Sequence, residues 1–151
     1  RNMSDLALVQ QFLNDETGLA TVSTVQNDGR VLSSVANCGV ITNPTTATDC
    51  VALVSVGSAA RLQHIRHGSE VTIAIRRGWN WVAVTGKAQL IGPDDRVDKI
   101  DSEGLRLLLR EIYIAAGGHH DDFEEYDREM VRSKRAAILV EPTRIIGNQP
   151  S

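Results

Sequence analysis

The spacing of apolar residues changes several times along the chain, and each change predicts a different element. Near the N-terminus, Leu6, Val9 and Leu13 recur at helical spacing. The following stretch is rich in Val and Thr, and NDGR at 27–30 interrupts it with a turn sequence typical of a β-hairpin. This part of the chain therefore predicts a helix over 4–13, a strand over 19–26 and a return strand over 31–42.

The rest of the chain predicts four further strands and three further helices. The strand after the hairpin is apolar on both faces, and Gly117 and Gly118 end the longest helix. The predicted strands are 50–56, 70–77, 78–92 and 135–147, the last interrupted at Pro142, and the predicted helices are 57–69, with a Gly-Ser cap, 93–116 and 121–132. This order indicates an α+β fold, a closed six-stranded antiparallel β-barrel with helical cover.

A single domain accounts for the whole pattern. With 151 residues, of which 42% are hydrophobic, the chain is near the commonest domain size and can bury a core without disulfides or metals. We expect one domain over 4–148. Arg1 and Asn2 precede Met3 and are expected to be a remnant of an expression vector.

The sequence GWNWVAVTG at 78–86 holds both tryptophans of a chain that has only six Trp, Tyr and Phe residues in all. Because side chains alternate along a strand, Val82 and Val84 are expected to face the barrel interior, and Trp79 and Trp81 to point outward. Two outward rings favour a dimer interface. They equally suit the wall of a ligand groove at that interface, and the two interpretations are compatible.

Charge and cysteine content narrow the choice of partners. The net charge of −3 argues against a nucleic-acid binder, which needs a basic surface. No apolar run is long enough to span a membrane, and the N-terminal pattern is not that of a secretory signal. Cys38 and Cys50 lack metal-type spacing and are expected to be free thiols. We therefore expect a cytoplasmic protein without membrane or nucleic-acid partners.

One candidate site follows the third predicted strand, where VSVGSAARLQHIR places a Gly-Ser turn at a helix N-terminus. Unpaired backbone N–H groups and the helix dipole favour an anion there. Arg61 in the first turn adds a guanidinium suited to phosphate. A capped helix carrying a solvated arginine is the simpler alternative, and the residues alone leave both open.

The histidines do not indicate a metal site. His64 and His67 lack a carboxylate or thiolate at matching spacing. The sequence GGHHDD at 117–122 is explained by Asp121 or Asp122 as a helix N-cap. The chain also lacks the sequence motifs of nucleophilic hydrolases, P-loop kinases, Rossmann dehydrogenases and zinc proteases. We therefore expect no metal.

Four segments, in this order and spacing, carry a family resemblance: GLATVSTVQNDGRVLSS, SAARLQHIR, GWNWVAVTGKAQLIGPDD and AAGGHHDDFEEYDREM. Together they resemble the split β-barrel proteins related to pyridoxamine 5′-phosphate oxidase, and within these the reductases that use the deazaflavin coenzyme F420. The resemblance extends from about Leu6 to Asn148. It implies a homodimer with the cofactor in a groove at the two-fold interface.

The resemblance also implies positions for the cofactor contacts. Arg61 stands where the family has a phosphate-binding lysine, and Ala59 replaces a second basic residue. Small polar residues of the return strand lie near the ring system, the turn after the third strand holds the phosphate, and the aromatic strand covers the groove. The implied cofactor-binding residues are Ser34, Asn37, Ser55, Val56, Gly57, Ser58, Arg61, Trp79 and Trp81.

The implied activity is hydride transfer from reduced F420 to an activated double bond, such as an enone, of a small organic substrate. The cofactor carries this chemistry, and solvent can protonate the product, so no residue is assigned as general acid. Two alternatives stay open. One is an FMN-dependent enzyme nearer to pyridoxamine-phosphate oxidase, and the other is a non-catalytic flavin- or tetrapyrrole-binding protein.

Overall fold

The computed structural model of the chain describes residues 3–148, with side chains from Leu6 onward. Arg1 and Asn2, the expected vector remnant, lie outside the described residues. The helices are α1 (Met3–Asp15), α2 (Ala60–Arg66), α3 (Ser102–Ala115) and α4 (Phe123–Arg132). The strands are β1 (Leu19–Val25), β2 (Val31–Asn37), β3 (Gly39–Thr42), β4 (Asp49–Ser55), β5 (Val71–Arg77), β6 (Asn80–Ile91) and β7 (Ala136–Gly147).

All described strands belong to one antiparallel sheet with the order β2-β1-β5-β6-β7-β4-β3. The predicted β1–β2 hairpin is confirmed, since Val25 pairs with Val31 across the NDGR turn. Gly29 in this turn has a φ of 89°, a conformation that glycine adopts without the strain a side chain brings.

The prediction of a single strand over 31–42, and with it a total of six strands, is wrong. The chain breaks at Cys38, so that β2 and β3 lie at opposite edges of a seven-stranded sheet. The Cys38 N–H donates to the Gly18 carbonyl (2.7 Å) instead of to a neighbouring strand. Because β2 and β3 follow each other in the chain, the sheet has to curve until its two edges approach at Cys38.

The predicted closed barrel is therefore open between β2 and β3, and the C-terminal end of α3 packs at this opening. Two glycines permit the close approach. A Cβ on Gly18 would lie 2.1 Å from the Ala116 carbonyl oxygen, and one on Gly39 would lie 2.4 Å from the Ala115 carbonyl carbon. The hydrophobic pattern of 31–42 does not predict this approach of α3, because the approach is a contact between backbone atoms.

Two helix starts differ from the prediction. The segment 93–101 forms tight turns, and α3 begins only at Ser102, where the Asp101 carboxylate accepts a hydrogen bond from the Gly104 N–H (2.7 Å). The predicted Gly-Ser cap of α2 is also wrong. Ala59 is the N-cap residue and makes no side-chain cap.

The predicted interruption of the last strand is wrong, since β7 (Ala136–Gly147) runs through Pro142 as one strand. Proline lacks an N–H and is tolerated where the ladder is irregular. Pro142 pairs with Gly86 at a register shift between Thr85 and Gly86. A Cβ on Gly86 would lie 1.9 Å from the Glu141 carbonyl oxygen, so the two strands can approach here only at glycine.

The core has two parts, on opposite faces of β4 and β7. Inside the curved sheet, Phe12 of α1 packs with inward residues such as Leu53 and Ile73. On the other face of these strands, Ile112 of α3 packs with Leu139 and its neighbours. Burial on both faces explains why the sequence of β4 is apolar at consecutive positions.

A prediction concerns the N-cap of α4, which the sequence expected at Asp121 or Asp122 and the structure confirms at Asp122. Its carboxylate accepts hydrogen bonds from the N–H groups of Glu124 (3.0 Å) and Glu125 (3.2 Å). We expect Asp122→Ala to lower the free energy of unfolding by about 1 kcal/mol, measured by urea denaturation. The matched control is Asp121→Ala, which removes the neighbouring carboxylate and not the cap. An equal loss in both variants would contradict a capping role.

Candidate functional site

A cavity of about 570 Å³ lies between the open end of the sheet and the two C-terminal helices; we call it the Arg61 cavity. It is of the size that ordinarily holds a small molecule or cofactor. The ends of β2 and β4, the start of α2 and the facing sides of α3 and α4 surround it. Its lining includes Asn37, Val56, Arg61, Tyr113, Tyr126 and Arg135.

Arg61 reaches from the first turn of α2 across to β2, where its Nη2 donates to Ser34 Oγ at 2.5 Å. The structure therefore brings together two of the predicted site residues. Arg61 is half-buried, in contrast to the solvated arginine of the simpler interpretation. Among residues 6–148, no carboxylate oxygen lies within the 4.0 Å of an ion pair with this guanidinium. Its charge is available to a bound anion.

Arg135 supplies a second positive charge to the same cavity, and the sequence analysis missed it. It lies just before β7, is half-buried, and its Nε donates to Ser133 Oγ at 3.0 Å. Like Arg61, it has no carboxylate within ion-pair distance among the residues whose side chains are described. Among the described residues, the lining of this cavity contains two arginines and no acidic residue. This charge balance favours an anion.

Ser133 connects the two sides of the cavity. Its carbonyl oxygen accepts a hydrogen bond from the Gly57 N–H at 3.1 Å, and its Oγ donates to the Glu129 carbonyl at 2.7 Å while accepting from Arg135. A Cβ on Gly57 would lie 2.5 Å from the Lys134 carbonyl oxygen. Gly57 thus allows the turn after β4 to pack against the turn before β7.

An aromatic cluster forms one wall of the Arg61 cavity. The rings of Tyr113 and Tyr126 lie with centroids 4.8 Å apart, and Phe123 and His120 pack against both. The Tyr126 hydroxyl donates to the Leu109 carbonyl (3.0 Å), and burial raises the pKa of Tyr126 to about 12. Tyr126 is therefore neutral near pH 7 and its hydroxyl proton is already engaged.

Three residues of the predicted phosphate turn, Ser55, Gly57 and Ser58, do not line the Arg61 cavity. Ser55 is buried, and its Oγ donates to the Val56 carbonyl at 3.3 Å. The Gly57 N–H, expected to be unpaired, is engaged by Ser133. Ser58 is exposed, and neither it nor Gly57 lines the cavity. Of the turn, only Val56 faces the cavity directly.

The tryptophans lie on another surface of the molecule, away from the Arg61 cavity. Trp79 was predicted to lie on a strand. It lies instead in the turn between β5 and β6 and is 96% exposed. Trp81 is 37% exposed and points outward, whereas Val82 and Val84 are buried as predicted. Neither tryptophan lines the Arg61 cavity.

Trp81 belongs to a continuous outer face of the sheet. One row of paired residues crosses five strands, and most of its members are apolar. The row comprises Val35, Thr21, Ala74, Ala83 and Ile146. Val35 and Ile146 at its two ends are exposed. Exposed large apolar side chains on one sheet face, here Val35, Trp81 and Ile146, are typical of an interaction surface.

The orientation of the two C-terminal helices depends on Asp127. This α4 carboxylate accepts hydrogen bonds from Arg110 (Nε to Oδ1, 2.9 Å) and from Arg106 (3.2 Å) on α3, and Arg110 also lies over the Phe123 ring. The hydrogen bonds from Arg110 above all lower the pKa of Asp127. The ion pairs therefore hold together the helices that carry the aromatic wall.

The other chemically active side chains are engaged elsewhere. Burial raises the pKa of both free thiols, Cys38 and Cys50, to about 12, so neither is a thiolate near pH 7. His64 shares a hydrogen bond with Thr24 at 2.8 Å. The described part of the chain contains no group of three His, Cys, Asp or Glu side chains that could hold a metal ion. Within residues 3–148, no helix combines the length and apolarity of a membrane span.

Solved structures with the same fold include proteins whose names refer to FMN, to heme and to F420. A pyridoxamine 5′-phosphate oxidase-related, FMN-binding protein from Nostoc punctiforme superposes with a TM-score of 0.67 at 13% identity, over 93% of this chain and 81% of that one. The heme storage protein HutZ from Vibrio cholerae gives 0.59 at 12% identity, over 93% and 92%. An F420 reductase gives 0.57 at 12% identity, over 86% and 90%.

The chain therefore has the fold of the pyridoxamine 5′-phosphate oxidase-like, FMN-binding split barrels, as the resemblance implied. No protein-family model matches the sequence. At identities this low the likeness concerns the fold, and the cofactor has to be argued from the cavity itself.

A prediction concerns Asp127. A lowered carboxyl pKa in the folded state contributes stability above the unfolded-state pKa of about 3.9, and this contribution is lost as the pH falls through the folded-state value. We expect Asp127→Asn to lower the free energy of unfolding by about 1–2 kcal/mol at pH 7. The difference from wild type should shrink as the pH falls below about 3.9 and through the lowered folded-state pKa, because protonated Asp127 is then neutral like asparagine.

Urea denaturation at a series of pH values measures this difference. Asp121→Asn is the matched control, since Asp121 is exposed and precedes the cap of the same helix. A loss for Asp127→Asn that did not change with pH would contradict an electrostatic origin.

Proposed function

We propose that the Arg61 cavity binds the phosphate-bearing part of coenzyme F420, and that the protein is an F420-dependent reductase of small organic substrates. The charge balance of the cavity carries this proposal, because its lining pairs two unneutralised arginines with no acidic residue. The fold shared with an F420 reductase and with FMN-binding proteins supports it.

The residues present fit such a cofactor. Arg61 offers a guanidinium to a phosphate and is held in place by Ser34. Tyr113, Val54 and Val56 offer an apolar surface for a flat ring system. When bound, reduced F420 supplies a hydride for an activated double bond. The chain's part is to bind and orient both reactants and to exclude water from the apolar side of the cavity.

Proton transfer to the product is assigned to solvent. The Tyr126 hydroxyl, the most buried donor of the cavity, is engaged by the Leu109 carbonyl, and its raised pKa makes it a weak acid. The Tyr113 hydroxyl donates to the His119 carbonyl at 2.7 Å. Neither tyrosine offers a free proton in this conformation, so no general acid is assigned.

We further propose a homodimer formed through the outer face of the sheet. Exposed Val35, Trp81 and Ile146 mark this face, and the family resemblance implies a cofactor groove at a two-fold interface. Because Trp79 and Trp81 do not line the Arg61 cavity of their own protomer, they would contact the cofactor only from the second copy. In such a dimer, Trp79 and Trp81 could contact the cofactor as the family resemblance implies.

FMN is the second candidate cofactor, and one observation favours it. The family resemblance implies a second basic residue for phosphate binding at the position of Ala59, and this chain lacks it. Arg135 restores a second positive charge to the same cavity. The superposition with an FMN-binding protein supports this alternative, and a non-catalytic binding role, as in the heme storage protein, is a third outcome of the same experiment.

The test of cofactor choice is a pair of calorimetric titrations, with F420 and with FMN, at one salt concentration. We expect F420 to bind more tightly and, once reduced, to be oxidised by an enone. The reverse order of affinities would move the assignment to FMN, and binding without turnover would favour the non-catalytic role.

A prediction concerns Arg61 in the same titration. A charge-assisted hydrogen bond contributes about 1.5–3 kcal/mol, so Arg61→Ala should weaken cofactor binding about ten- to a hundredfold. Arg61→Lys should lose less, because the charge remains although the fork geometry does not. Arg30→Ala is the control, an exposed arginine of the β1–β2 turn that pairs with Asp28. Unchanged affinity in Arg61→Ala would remove the phosphate site.

A further prediction concerns the dimer. Light scattering at micromolar concentration should give twice the chain mass of 16.5 kDa. Val35→Arg should shift the protein to monomer, since it would bury an unpaired charge in the interface. Val131→Arg is the matched control, because Val131 is 78% exposed on α4, away from the outer face. A monomeric wild type, or a dimer unaffected by Val35→Arg, would contradict the interface.

A further inference from the structure

A second cavity of about 760 Å³ lies between the segment 92–101 and the facing sides of α3 and α4; we call it the α3–α4 cavity. It is distinct from the proposed cofactor site, and most of its lining residues do not line the Arg61 cavity. Met130 and Arg135 line both this cavity and the Arg61 cavity, so the two spaces adjoin at these side chains.

The interior of the α3–α4 cavity is largely apolar. Leu105 and Leu109 of α3 face it from one side, Val97 and Ile100 of the preceding segment from another, and Met130 of α4 closes the boundary. A volume and lining of this kind suit a small organic molecule with an apolar body.

The charges around this cavity are not equally engaged. On the acidic side, Asp127 and Glu103 are paired with Arg106, and Asp101 caps α3. On the basic side, Arg135 and Lys134 have no carboxylate within ion-pair distance in the described part of the chain.

Within residues 6–148, Arg96 is likewise unpaired, and the exposed Asp98 is the one lining carboxylate that is neither paired nor part of a cap. Because Arg135 is half-buried and anchored by Ser133, it offers the best-placed charge for a ligand.

We propose that the α3–α4 cavity binds a small organic anion with an apolar body, and that the anionic group is bound by Arg135. The apolar body lies against Leu105 and Leu109. Resting on the proposed function, this anion is the acceptor substrate, because the cavity adjoins the cofactor cavity at Met130 and Arg135.

When bound, reduced F420 would supply a hydride for the β-carbon of the acceptor's conjugated C=C bond and would be left oxidised. Solvent would supply the proton for the α-carbon, so that the C=C bond would become a single bond. Arg135 would hold the anionic group, and Leu105 and Leu109 would hold the apolar body. This narrows the substrate class to conjugated carbonyl compounds that carry a negative charge.

The test uses two fluorescent probes of matched shape, the anion 8-anilinonaphthalene-1-sulfonate and its neutral counterpart N-phenyl-1-naphthylamine. We expect the anion to bind more tightly to the wild-type protein. Arg135→Gln should lower the affinity for the anionic probe about tenfold and change the affinity for the neutral probe by no more than about twofold. Arg132→Gln is the matched control, since Arg132 is exposed, pairs with Glu129 and lines neither cavity.

A second variant identifies which cavity is occupied. Leu105 lines the α3–α4 cavity and not the Arg61 cavity. Leu105→Trp should therefore fill the α3–α4 cavity and lower the affinity for both probes about tenfold or more. Leu105→Phe serves the same purpose should the larger side chain prevent folding. Unchanged probe binding in the filled variant, or equal weakening of both probes by Arg135→Gln, would overturn the proposal.

A cofactor titration separates this proposal from the proposed function. Leu105→Trp should bind F420 as tightly as the wild type. A wild-type protein that binds the anionic probe through Leu105 and Arg135 but binds no F420 would overturn the proposed function and leave the anion pocket standing.

Discussion

The approach of the C-terminal end of α3 to the opening of the sheet is the contact on which the rest of the structure depends. It requires that Gly18 and Gly39 have no side chains, because their Cβ atoms would meet the carbonyl groups of Ala116 and Ala115. The helix end separates β2 from β3 and keeps the barrel open. It also brings Ile112, Tyr113 and Ala116 to the place where the Arg61 cavity forms. Both the opening of the sheet and the position of the Arg61 cavity thus depend on this one backbone contact.

The parts of the fold that were predicted correctly depend on local chemistry. The NDGR hairpin, the N-cap at Asp122 and the helix end before Gly117 each follow from the backbone preferences of a few adjacent residues. The parts that were wrong depend on contacts between distant segments. The break at Cys38 follows from packing against α3, which the alternation of side chains in 31–42 does not record.

The residues of the candidate site also fall into a group that was predicted and a group that was missed. Arg61 and Ser34 were both predicted, and they meet in the structure. Arg135 was missed because it stands alone before a strand, in no recognised motif, and reaches the cavity only through the packing of α4. The expectation of an unpaired N–H at Gly57 was wrong for the same reason, since this N–H is engaged by Ser133, far along the chain. A motif gives the residue type, whereas tertiary packing decides which groups remain unpaired.

The hydrogen bonds of Ser133 have a consequence for both positive charges of the Arg61 cavity. Its carbonyl oxygen holds the turn that leads into α2 and Arg61, and its hydroxyl holds the side chain of Arg135. A change at this one serine would therefore disturb the start of α2 and the Arg135 side chain together, although the two arginines are far apart in the sequence.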